Sequence, residues 1–217
     1  MRQTLLFSIL LVWGLTLFFC TGKSHEPSPA VVDDAPIASI QHKIALVPLG
    51  FTDTHLTSLL QSEIEAFYKD DVEVMPNTKL PSASYYSPRN RYRADSLIAI
   101  LARSKSYQHY DKVIGITGKD ISTTKDSYAD WGIFGLGYCP GKSCVISTFR
   151  LKKNARDKEH VNDRVVKVAL HELGHTFGLP HCNSSNICLM RDAEGTIKSV
   201  DTEEKILCSN CRNKLGI

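Results

Sequence analysis

The sequence predicts an α/β (α+β) fold that ends in a histidine-bearing helix and a cysteine-rich C-terminal subdomain. Three observations predict it. Short apolar runs of strand length, KIALVPL at 43–49 and KVIGIT at 112–117, alternate with amphipathic stretches of helical period, giving β-α-β-α-β. Two further apolar segments, 131–138 and 144–151, flank a Pro-Gly turn and read as a hairpin. Four of the seven cysteines fall after His181, in a segment otherwise polar.

The chain of 217 residues is long enough for one domain with a proper core. Its 26 basic and 23 acidic residues are interspersed, for a net charge of +3, so no clustered basic face marks it as a nucleic-acid binder. At 42% hydrophobic and 23% charged, the composition is that of a globular domain, expected to be monomeric.

Residues 1–22 read as a leader. Arg2 precedes an apolar run of fifteen residues, Leu5–Phe19, short of the roughly twenty needed to span a membrane and fitting a secretory signal. Cys20 at its end resembles a bacterial lipoprotein signal, whereas Leu17-Phe18-Phe19, in place of a small residue, suits ordinary cleavage nearby or an uncleaved anchor. Either way the protein is expected to be exported to the envelope or beyond, touching a membrane only through a lipid on Cys20. Residues 23–42, with Pro27, Pro29 and Pro36, read as a flexible linker in which His42 is solvated, and the domain occupies 43–217.

Along that domain, 43–49 is a buried strand, and Thr52 or Asp53 caps a helix over 54–69 whose inner stripe is Leu56, Leu59, Leu60, Ile64 and Phe67. A strand at 71–75 and a loop at 76–88 follow. A second helix covers 89–105, with Leu97, Ile98 and Leu101 inward and Arg89, Arg91 and Arg93 as a solvated start. After the strand at 112–117, the polar stretch 118–130 reads as a surface loop. Cys139 and Cys144 could close a small disulfide across the hairpin turn. The last long helix starts near Val161, capped by Asn162 or Asp163. Beyond a polar loop at 191–200, a short helix from Asp201 or Thr202 delivers the final cysteines.

The chemistry concentrates at 171–190. His171-Glu172-Leu173-Gly174-His175 places two imidazoles four residues apart, on one helical face, able to meet one ion. Gly178 can reverse the chain, returning His181 as a third nitrogen ligand. Three protein ligands on zinc leave a fourth position for water, the catalytic arrangement, and Glu172 is placed to take that water's proton.

The run H-E-x-x-H-x-x-G-x-x-H with Met190 downstream resembles the metzincin metallopeptidases. Cys182 beside the third histidine, then Cys188-Leu189-Met190, seventeen residues, and Cys208-Ser209-Asn210-Cys211, is similar to the archaemetzincins. Five residues separate Cys182 from Cys188, one more than that family's spacing. The resemblance implies a twisted mixed sheet carrying two helices with the zinc helix packed beneath it. It also implies a second, structural zinc on Cys182, Cys188, Cys208 and Cys211, hence two zinc ions per chain. Two disulfides are the alternative for those four thiols. The implied activity is zinc-dependent peptide hydrolysis, in the aminopeptidase style or as an endopeptidase. A zinc-stabilised peptide-binding module of the envelope, with little hydrolysis, is the rival. The glycine-rich strand at 131–138 is the candidate edge for a peptide substrate to pair with, and the other reading of its glycines is close packing.

Overall fold

The computed structural model describes residues 41–192 and 195–217; the expected leader with Cys20, and the linker up to residue 40, lie outside the described residues. Among the described residues no helix is long and apolar enough to cross a membrane. His42 is tied down, contrary to its reading as solvated. Its amide donates to Asp70 Oδ1 at 2.8 Å and its ring lies 5.0 Å from that of Phe177.

The central sheet has five strands. β1 (Lys43–Pro48) and β2 (Asp71–Val74) are joined through α1 (Thr54–Tyr68). β5 (Lys112–Thr117), β8 (Gly135–Gly137) and β9 (Ser143–Ser147) complete it in the order β2-β1-β5-β9-β8. All pairs are parallel except β8–β9, so the expected mixed sheet and the expected hairpin are both present. The apolar runs have no polar alternation because both sheet faces are covered. Ile44, Leu46, Ile114, Ile116 and Ile146 pack under α1 and α4 (Lys158–Thr176). Ala45, Val47, Val113 and Val145 pack under α2 (Ala94–Arg103) on the other side. Lys112 Nζ donates to the carbonyls of Gly141 (2.9 Å) and Thr176 (2.7 Å), so the first residue of β5 caps the end of α4.

The polar stretch expected as a loop is instead a hairpin. β6 (Ile121–Lys125) and β7 (Tyr128–Ile133) turn through Asp126 at φ 50°. They join β3 (Tyr85–Tyr86) and β4 (Arg91–Arg93) in a second sheet ordered β3-β4-β6-β7. Arg89 is exposed as expected, but Arg91 and Arg93 belong to β4 and are largely covered, and the helix begins only at Ala94. Arg91 pairs with Asp120 (3.2 Å) and Asp130 (3.3 Å), and Arg93 Nη1 donates to Ala129 O (2.6 Å).

Four other boundaries move. The segment 131–138 is two strands, β7 and β8, in different sheets, with Phe134 between them. The strand expected over 144–151 ends at Ser147, whose hydroxyl caps the short α3 (Thr148–Leu151). α4 starts at Lys158, where Asp157 accepts from the His160 amide at 2.7 Å, three residues before Val161. At the C-terminus, α5 (Ile197–Thr202) is capped by Thr196 and ends near where a helix was expected to begin. Asp201 is occupied instead by Arg164, which it holds through two contacts of 2.7 and 2.8 Å. Cys208 caps α6 (Ser209–Leu215), which carries Cys211.

Candidate active site

The site is built on the last two turns of α4. His171 and His175 project from one face, their rings 4.6 Å apart. The helix stops at Phe177. Gly178, at φ 94°, turns the chain, and the Gly178 amide donates to His175 O at 2.9 Å. His181 returns with its ring 4.8 Å from that of His175 and 5.4 Å from that of His171.

Each helical imidazole is fixed from behind by a carbonyl. His171 Nδ1 lies 2.7 Å from Leu189 O, and His175 Nδ1 lies 2.7 Å from Leu179 O. A carbonyl can only accept, so each Nδ1 carries the proton and each Nε2 offers its lone pair to the common centre. His175 Nε2 and His181 Nε2 are 3.2 Å apart. Tetrahedral zinc with bonds of about 2.0–2.1 Å separates its nitrogen ligands by roughly 3.3 Å, so the trio fits such an ion. Burial, and then the neighbouring His175, push His171 down to about 3, which keeps it in the neutral form a ligand needs. Asp192 stands 3.5 Å from His181 Nδ1, on the exposed side of the centre.

Met190 supports this arrangement from below. It is fully buried, its carbonyl accepts from the Cys182 amide at 2.8 Å, and its sulfur lies where a Cβ on Gly174 would stand, 2.5 Å away. Leu189 holds the first histidine while Met190 fills the space under the helix between the two histidines. Position 174 must therefore lack a side chain.

Glu172 faces the other wall. A Cβ on Gly135 would come within 2.6 Å of its Cγ, and one on Gly137 within 2.6 Å of its backbone oxygen. The glycines of β8 thus permit close packing, and β8 is also the edge of its sheet. Burial pushes Glu172 up to about 8, with the Gly137 amide opposing the shift, a range in which a carboxylate exchanges protons near neutrality. A cavity of about 280 Å³ joins these groups to an apolar wall of Trp131, Ile133, Phe134 and Leu136.

The four C-terminal cysteines gather in a second cluster, their sulfurs within 4.8 Å of one another. Cys182 and Cys208 sulfurs are 3.6 Å apart, Cys188 and Cys211 sulfurs 3.8 Å. A disulfide needs about 2.05 Å, whereas tetrahedral zinc with Zn–S bonds near 2.3 Å separates its sulfurs by about 3.8 Å. None of the four is joined in a disulfide in the structure. The extra residue between Cys182 and Cys188 is taken up in the loop, since Cys188 Sγ still accepts from the Cys208 amide at 3.5 Å. Burial opposes ionisation of Cys182, but the Ser184 amide and the neighbouring thiols outweigh it and hold Cys182 down to about 7. Cys139 and Cys144 are likewise free, so no disulfide closes the hairpin turn.

The sequence pattern of peptidase family M54 matches residues 52–216. The chain belongs to that family. Archaemetzincin from Halobacterium salinarum is 34% identical over 177 residues, covering 78% of this chain and 97% of that protein. Archaemetzincin from Methanopyrus kandleri is 36% identical over 176 residues, covering 80% and 95%. The crystal structure of the Methanopyrus kandleri protein superposes with a TM-score of 0.69 at 31% identity, over 84% of this chain and 97% of that one. Archaemetzincin from Archaeoglobus fulgidus, crystallised with malonate, gives 0.67 at 31% identity, over 79% and 99%. The chain is thus a zinc metallopeptidase of archaemetzincin type. Its three histidines, Glu172 and four cysteines all come together as the sequence suggested. Asp192 beside His181, and Glu203 in the cavity, were not legible: each reaches the site from a C-terminal segment with no periodic signal.

Proposed function

We propose that His171, His175 and His181 hold one zinc ion, that Cys182, Cys188, Cys208 and Cys211 hold a second, structural one, and that Glu172 is the general base for peptide hydrolysis. The observation that carries this is the convergence of three carbonyl-fixed or chain-reversed imidazoles beside a buried carboxylate in one cavity. Bound there, zinc supplies the Lewis acidity that lowers the pKa of a water and polarises a scissile carbonyl. Glu172 takes the proton from the attacking water and returns it to the leaving nitrogen. β8 offers its free edge to the backbone of an extended substrate, and Trp131, Phe134 and Leu136 exclude water from the bound segment.

The small cavity suits a short peptide or a chain end better than a long loop, so we read the activity as aminopeptidase-like. Incubating the zinc-loaded protein with a mixed peptide library and reading products by mass spectrometry tests this. Stepwise loss of first residues supports end trimming, and internal cuts with blocked peptides consumed equally well contradict it. The leader reading belongs to the same proposal: an exported protein whose mature start, measured by intact mass, lies at Cys20 with a lipid or close to it without one.

A further inference from the structure

Two carboxylates besides Glu172 line the catalytic cavity: Asp192, beside His181, and Glu203, which peptide hydrolysis leaves unused. Glu203 follows α5, its amide donating to Ser199 O at 3.1 Å, and only 5% of the residue is exposed. It lines the same cavity as His171 and Glu172. Its Oε1 is enclosed and accepts no hydrogen bond.

The neighbouring cations are engaged by other groups. Lys167 Nζ pairs with Asp163 at 2.8 Å and donates to Val200 O at 3.3 Å. Arg191 Nη1 donates to Asn186 O at 3.3 Å. Burying a carboxylate without a partner is unfavourable, and such groups concentrate where a ligand completes them. Burial pushes Glu203 up to about 7, which Lys167 and Arg191 oppose only in part. The contact between Lys167 and Val200 seats α5 against α4 near Val168, which also lines the cavity. Val168 is one turn before Glu172, about 6 Å along the helix axis. Glu203 thus enters the cavity from the α5 side, in company with Val168 and Val200.

We propose that Glu203 is a specificity-determining residue that receives a cationic group of the substrate: the α-ammonium of an unblocked peptide start, or a lysine or arginine side chain next to the scissile bond. The proposal rests on the peptidase reading of this cavity and adds the chemistry of what it accepts. Trp131, Ile133 and Phe134 then cover the apolar part of the same substrate residue.

The test uses the full zinc-loaded chain, Glu203→Gln, and three matched peptides. One has a free amino-terminus and neutral side chains, the second is its N-acetylated form, and the third is acetylated with lysine flanking the scissile bond. The parent is expected to favour one cation-bearing peptide over the neutral capped one by about tenfold or more in kcat/KM, the scale of a charge-assisted hydrogen bond. In Glu203→Gln that ratio is expected to collapse towards one, through KM. Preference for the free start identifies the α-ammonium, and preference for the lysine peptide identifies a basic side chain. Peptide affinities measured in a Glu172→Ala background give the same ratio without turnover. If the parent cleaves nothing yet binds with a cation preference that Glu203→Gln removes, the peptidase reading fails and the assignment of Glu203 stands. Cleavage or binding with no cation preference, or a preference that survives Glu203→Gln, overturns the assignment. Because Oε1 has no internal partner, the amide variant is expected to melt at or above the parent's Tm. A markedly lower Tm with the preference intact would make Glu203 a structural residue instead.

Discussion

At the scale of single residues, Arg164 and Asp201 show how a buried charge is held. Arg164 is 1% exposed, and its Nη1 donates to Leu151 O and Lys153 O while Nε and Nη2 grip Asp201. The hydrogen bonds from Arg164 hold the Asp201 carboxyl down to about 2, against some desolvation and with help from His160. A carboxyl depressed on folding contributes stability that is fully present above its unfolded pKa of 3.8 and is lost as pH falls towards 2. Asp201→Asn is therefore expected to lower the unfolding free energy at neutral pH by about 2 kcal/mol. Urea titrations at several pH values should show the gap between parent and variant steady above about pH 5 and closing between pH 4 and 2. A gap that persists unchanged at pH 2 would contradict the pairing. The ligands were legible at this scale because helical geometry and a chain reversal fix them locally. Glu203 and Asp201 were not, because their partners and surroundings come from helices distant in sequence.

At the scale of elements, what the sequence conveyed follows burial. β1, β5 and α1 read correctly because their apolar patterns are strong and their faces are covered. β4 and β6 were missed, and β7 was read only from Trp131 as one strand with β8, because the second sheet carries arginine–aspartate pairs and exposes much of its surface, so no hydrophobic period marks it. The beginning of α4 was missed for the same reason: Lys158, Glu159 and His160 are polar, and Asp157 supplies the cap. The decisive element contact is α4 against the Met190 loop. Gly174→Ala would set a Cβ 2.5 Å from the buried Met190 sulfur and 3.2 Å from the Tyr68 hydroxyl, which itself donates to Leu170 O. That overpacking is expected to destabilise by about 1–3 kcal/mol and to weaken zinc affinity by displacing the loop whose Leu189 carbonyl orients His171. Unfolding curves and competitive zinc titration check the two effects, and an unchanged zinc affinity would detach the Met190 loop from the metal centre.

At the scale of the molecule, the central sheet carries α1 and α4 on one face, with the cysteine cluster packed into the same core. Cys182, Cys188 and Cys211 are buried there, so the proposed second zinc is expected to stabilise the C-terminal region directly. Elemental analysis should find two zinc ions per chain. Stepwise chelation should remove the ion of the histidine site first, since His181 is exposed, with loss of activity but little change in Tm, and that of the thiolate site later, with a marked fall in Tm. One zinc per chain, with all four C-terminal thiols free and Tm unaffected by chelation, would contradict the structural role.

The central claim, hydrolysis at the histidine site with Glu172 as the base, is tested most directly by Glu172→Gln at matched zinc occupancy. The account predicts that the variant keeps zinc at the parent's stoichiometry and loses turnover on peptides by about a hundredfold or more. Peptide cleavage at the parent's rate by a fully zinc-loaded Glu172→Gln protein would contradict it.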